Sequence, residues 1–73
     1  MLNLRDIPAG GTCLIAWLTG RAGAILRKYY KIAEDKPIRV IRNMGRGGVI
    51  VRMDGRSFAL SADAAQSVKV SLL

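Results

Sequence analysis

The stretch GGVIVRMDGRSFAL, residues 47–60, restricts the fold of this chain more than any other, because it reads as two short strands folded back at Asp54-Gly55. Asp-Gly is a favoured pair for a two-residue hairpin loop of primed type, in which both central residues take positive φ. With these two as the loop, VIVRM (49–53) and RSFAL (56–60) can pair in one register. Met53 then faces Arg56, Val51 faces Phe58 and Val49 faces Leu60, and the two apolar pairs lie on one side of the ribbon. Ile50 with Ala59 and Arg52 with Ser57 lie on the other. The first side is expected to be core and the second wet or lightly covered. Cross-strand pairs of this kind contribute about 0.2–1 kcal/mol each. A lone hairpin is marginal in water, so other strands must join it.

The rest of the chain supplies them. TCLIAWL (12–18) is short, apolar and carries an aromatic, which fits a mostly buried strand. Strict alternation puts Thr12, Leu14, Ala16 and Leu18 on one face and Cys13, Ile15 and Trp17 on the other, so each face needs a cover. In RAGAILRKYYKI (21–32) the period changes. Ala22, Ile25, Leu26 and Tyr29 fall at i, i+3, i+4 and i+7, one stripe of a helix expected over about 21–30 and laid over an open side of the sheet. Gly20 and Gly23 weaken its start by about 1 kcal/mol each if they lie inside it.

After the polar connection AEDK, Pro37 opens PIRVIRN at a place where no ladder donor is needed. Ile38 and Val40 point one way there, and Arg39 and Ile41 the other. MGRGG turns the chain into the hairpin. In SADAAQ, Ser61 caps a helical turn with Asp63 near its positive end. SVKVSLL closes the chain as a strand with Val68 and Val70 inward, while Leu2, Leu4 and Ile7 precede the turn signal PAGG at the other end. The expected architecture is a single mainly β domain of 73 residues. About five strands and one short helix form a small, highly curved barrel, with a helical turn before the last strand.

Composition removes most chemistry. There is no histidine and one cysteine, Cys13, so an internal disulfide and a closed Cys/His zinc site are both excluded. Cys13 sits in an apolar strand, the setting of an inert thiol. The carboxylates are Asp6, Glu34, Asp35, Asp54 and Asp63, and only Glu34 and Asp35 adjoin, in a loop. GRGG (45–48) and GRAG (20–23) lack the Lys-Ser/Thr that a phosphate loop carries into a helix, and read as turns. An enzyme is the least favoured class. The opening MLNLRDIPAGG lacks the order of a secretion signal, and the longest apolar run, CLIAWL, is far short of the about 20 residues of a membrane span. A cytoplasmic protein is expected. The net charge of +7 favours nucleic acid, anionic headgroups or an acidic protein face as partner without choosing among them.

The pattern LRDIPAGGTCLIAWL, a short helix with Ile25-Leu26, IRVIR and then GVIVRMDGRSFALSADAAQSVKV resembles the FeoA family, ferrous iron transport protein A and related small domains. IPAG (7–10) and VRMDGRSFALSADAAQSVKV (51–70) carry most of the resemblance, which extends over nearly the whole chain. The family usually has Leu-x-x-x-Gly-Leu-x-Pro-Gly after its helix. Here LRKYYKIAEDKPI (26–38) lacks both glycines, has one residue inserted and places Tyr30 at the first.

The resemblance implies an SH3-like barrel without enzymatic activity, cytoplasmic or peripheral at the inner membrane, docking on the cytoplasmic part of the large FeoB-type membrane GTPase that carries ferrous iron. It also implies binding of ferrous iron or another transition metal, and a kinship with metal-dependent repressors that carry a similar domain. No metal ligands are assigned to this chain. The basic and aromatic residues that the core pattern does not use, Lys28, Tyr30, Lys31, Arg46 and Arg52, are the expected partner-binding set. A small basic nucleic-acid-binding barrel is the alternative. Among the aromatics only Tyr30 is expected to be free, since Tyr29 and Phe58 are placed in the core and Trp17 in an apolar strand. A free strand edge, or the second apolar face of 12–18, could also pair two copies.

Overall fold

A computed structural model describes all 73 residues. The hairpin forms as its turn residues dictate: Asp54 and Gly55 take φ of 53° and 76°. β3 (Val49–Met53) and β4 (Arg56–Leu60) then pair residue for residue in the expected register. Val49, Val51, Met53 and Leu60 are buried, while Arg52, Ser57 and Ala59 face water. With β1 (Thr12–Leu18), β2 (Pro37–Asn43) and β5 (Val68–Leu72) they make one antiparallel sheet in the order β4-β3-β2-β1-β5.

The sheet curls round a single core to which every strand contributes, including Cys13, Ile15, Ile38, Val40, Val51, Leu60, Val68 and Val70. The end strands β4 and β5 do not bond to each other. The short helix α2 (Ala62–Gln66) links them and plugs the gap with Ala65, which is fully buried. Ser61 caps α2 as its sequence predicts, its hydroxyl accepting from the Ala64 amide at 3.1 Å. A 3-10 turn (Gly45–Gly47) joins β2 to β3.

Two faces were read wrongly from periodicity. A β-bulge shifts the β1–β5 register between Ile15 and Trp17. Cys13 and Ile15 point into the core before it; past it Leu18 packs on the core and Trp17 is 50% exposed. A bulge leaves one residue unpaired and reverses the alternation that follows. The helix α1 (Gly20–Tyr30) shows the second difference. Only Gly23 and Leu26 are buried, whereas Ile25 and Tyr29 of the expected stripe are 44% and 67% exposed. The cause lies in Gly23: a Cβ there would stand 2.9 Å from the Leu18 carbonyl carbon. The helix leans on β1 through bare backbone and so covers a narrower strip than its apolar pattern allows.

α1 ends at Lys31, whose φ of 58° is the left-handed cap normally given to glycine. The turn drops Ile32, the last residue before the polar connection AEDK, into the core, where it is fully buried. Arg27 of α1 then holds Glu34 through two hydrogen bonds, one of 2.6 Å. A further 3-10 turn (Leu4–Asp6) is closed at its start by Asn3 and Asp6 in a reciprocal cap. The Leu2 carbonyl accepts from the Val70 amide at 2.9 Å, and Asn3 bridges to Lys69. The N-terminal segment thus covers part of the open edge of β5, a role that the sequence pattern did not show.

Candidate partner-binding surface

α1, the end of β4 and the start of α2 enclose an open groove of about 360 Å³, lined by nine residues of which seven are hydrophobic. Small side chains make the room: Ala22 on α1, Ala59 on β4 and Ala64 on α2 stand where larger residues would fill it. Leu26 and Leu60 form its floor, Ile25 and Tyr30 its wall, and Ser61 and Asp63 a polar end. Beneath it Gly48, at φ 93°, packs so closely on the Leu60 and Ser61 backbone that no side chain fits.

Tyr30 is the fixed anchor of this surface. It is 38% exposed, its ring meets Phe58 edge-on at 5.6 Å, and its carbonyl accepts from Arg56 Nη2 at 3.3 Å. The Arg56 guanidinium in turn lies 5.0 Å from the centre of the Phe58 ring. Such contacts hold an aromatic in one orientation before anything binds. Beside it, Lys28 Nζ lies 5.4 Å from the Tyr29 ring centre, and Lys31 Nζ donates to the Lys28 carbonyl at 3.2 Å. Lys28, Tyr30 and Lys31 therefore come together at the end of α1.

The other two expected residues lie apart. Arg46 is exposed in the turn before β3. Arg52 is on the outer face near the other end of β3, between Arg39 and Ser57 in neighbouring strands. Neither lines the groove. The groove's own Ala22, Ile25, Ala59 and Ala64 were missed. The available signal was the helix stripe itself, which is wider than a helix resting on Gly23 can bury.

Charge is unevenly placed. The Arg27 guanidinium, hydrogen-bonded to Glu34, pulls that carboxyl down to about 2. Lys36 Nζ, 2.7 Å from Asp54 Oδ2, lowers the Asp54 carboxyl in the same way. Asp6 is engaged in its turn and Asp63 sits in the first turn of α2.

The donor set does not fit a transition-metal site. No three of the Cys, Asp and Glu side chains converge. Cys13 donates to the Ile38 carbonyl at 3.8 Å, and burial pushes its thiol up, away from the thiolate that a metal requires.

Comparison with known proteins agrees with this geometry. The FeoA domain model matches residues 2–72. Among solved structures, an iron uptake regulatory protein (FeoA) is 21% identical with a TM-score of 0.83, covering 94% of this chain and 93% of that one. The zinc complex of FeoA from Stenotrophomonas maltophilia, a procaryotic SH3 domain protein, is 17% identical with a TM-score of 0.84 and covers 97% and 91%. A manganese-dependent transcriptional repressor is 25% identical with a TM-score of 0.82; it covers 99% of this chain, which corresponds to 41% of the repressor. No curated relative matches by sequence. The five-stranded antiparallel barrel is accordingly of SH3-like fold.

Proposed function

This chain belongs to the FeoA family of small SH3-like domains associated with ferrous iron transport, and on that premise we propose that it is a non-enzymatic cytoplasmic subunit that docks on a membrane GTPase iron transporter. The observation that carries the reading is the mostly apolar groove between α1 and α2, whose clamped Tyr30 stands at the end of α1 beside Lys28 and Lys31. A preformed, mostly apolar groove with Lys28 and Lys31 near its Tyr30 suits an amphipathic segment with an acidic flank on that side. The transporter's soluble domain would supply that segment. Arg46 and Arg52, outside the groove, act on the approach of the partner through long-range charge. No helix is long and apolar enough to cross a membrane.

The test is capture of the transporter's soluble domain by the wild-type chain and by Tyr30→Ala/Lys31→Ala. Loss of a central aromatic anchor typically costs at least about 2 kcal/mol, roughly thirtyfold in affinity. Unchanged capture by a variant whose circular dichroism is intact removes this surface from the interaction.

Nucleic-acid binding gains one specific support. Trp17, Tyr29 and Tyr30 are all exposed, where one free ring was expected. Salt separates the readings, since phosphate contacts lose affinity by powers of ten between low and moderate salt.

A further inference from the structure

The outer face of β2 and β3 is the one strongly basic surface that the groove does not explain. Arg39 and Arg52 stand directly opposite each other across the two strands. The row continues to Thr12 on one side and Ser57 on the other. Arg42 pairs with Ile50 on the same face. Like charges placed opposite in a sheet repel, and nothing in the chain relieves this pair. The only ion pairs are Arg27–Glu34 and Lys36–Asp54, and the one side-chain hydrogen bond here is a long contact of 3.5 Å from Arg52 to Ser57. No carboxylate stands on any strand. Between these arginines Ile41 points outward by ordinary alternation, 44% exposed, and a second β-bulge after Val40 brings Arg42 onto the same face.

We propose that this face is a membrane-apposition surface, on which three arginines meet the phosphates of an anionic bilayer and Ile41 enters the headgroup layer. The occupant follows from the chemistry of the face. It is broad and formed by two interior strands whose backbone is already paired, so no peptide strand can add there. It carries no aromatic ring, and aliphatic Ile41 and Ile50 take the places where stacked bases would need one. Phosphates arrayed in a plane, with an apolar layer beneath, match guanidinium groups interspersed with aliphatic side chains. The attachment is weak and reversible by itself, and a second contact with a membrane-embedded partner would strengthen it through effective concentration. The inference does not depend on the groove, and vesicles without protein test it alone.

The experiment is co-sedimentation at low ionic strength with vesicles of phosphatidylcholine and phosphatidylglycerol, and with vesicles of phosphatidylcholine alone. The wild-type chain should partition to the anionic vesicles only. Each arginine near the surface is worth about fivefold in partitioning, so Arg39→Gln/Arg42→Gln should lose on the order of 25-fold. That pair leaves Arg52 and the groove intact. Arg21→Gln/Lys69→Gln removes the same charge elsewhere and should lose about twofold or less, as expected for a screened global effect. Equal losses in the two variants would overturn the assignment. So would binding to neutral vesicles, or tighter binding of a single-stranded oligonucleotide through Arg39 and Arg42. Circular dichroism of both variants, and retention of binding by Arg39→Lys/Arg42→Lys, separate loss of charge from loss of fold.

Discussion

Gly48→Ala is the substitution on which the packing argument bears hardest. The new Cβ would lie 2.1 Å from the Leu60 carbonyl oxygen and within 3.2 Å of the Ser61 Cα, where real Cβ contacts stay beyond 3.0 Å. Relief from that contact requires a shift of about 0.9 Å in backbone that also carries the α2 cap. Two costs add. A side chain at φ 93° and ψ −164°, a region that is essentially glycine's alone, costs about 1–3 kcal/mol. Overpacking against backbone costs a further 1–3 kcal/mol or so.

The expected loss is about 2–6 kcal/mol. A domain of 73 residues holds in total roughly 4–11 kcal/mol, at about 0.05–0.15 per residue. Urea unfolding followed by far-ultraviolet circular dichroism should show the midpoint fall sharply, with a melting temperature lower by at least about 8 °C. Gly45→Ala is the internal standard: its φ is also positive, at 59°, but its Cβ would meet open space. It should cost about 1–2 kcal/mol. If the two variants lose the same stability, the close approach of Gly48 to β4 contributes nothing and the account of the groove floor fails.

Two more outcomes are accessible to simple titration. Glu34, held near 2 against an ordinary 4.5, contributes stability above the higher value and loses it as pH falls through the lower one. Carboxyl NMR should place its midpoint near 2, Arg27→Gln should raise it toward 4.5, and that variant should lose less stability over the same acid range; an unmoved midpoint refutes the pairing. Cys13 should resist a thiol reagent in the native state and react fully in denaturant, because burial raises its thiol and hides it. Rapid native labelling would contradict a closed core.

The strands were legible where chemistry is local. Asp54-Gly55 admits one loop geometry, so all five hairpin pairs followed from it. Pro37 and Ser61 marked the starts of β2 and α2 for equally local reasons. What periodicity missed depends on distant contacts. The bulge in β1 answers to β5 more than fifty residues on. The narrow buried strip of α1 follows from Gly23 meeting Leu18, and the left-handed Lys31 shows only once Ile32 has a core to enter. The site divided along the same line. Lys28, Tyr30 and Lys31 cluster because one helix end carries them, while the groove wall opposite is assembled from β4 and α2, which only the tertiary fold brings near.

The bulge that turns Trp17 outward decides how this molecule can be watched. The sole indole is already half in water when the protein is native. Its emission should therefore shift little as the barrel melts, and a denaturation curve followed by fluorescence would understate the transition. A ligand that shields the end of β1 would instead move the emission to the blue, making the same residue a poor witness of unfolding and a sensitive one of contact.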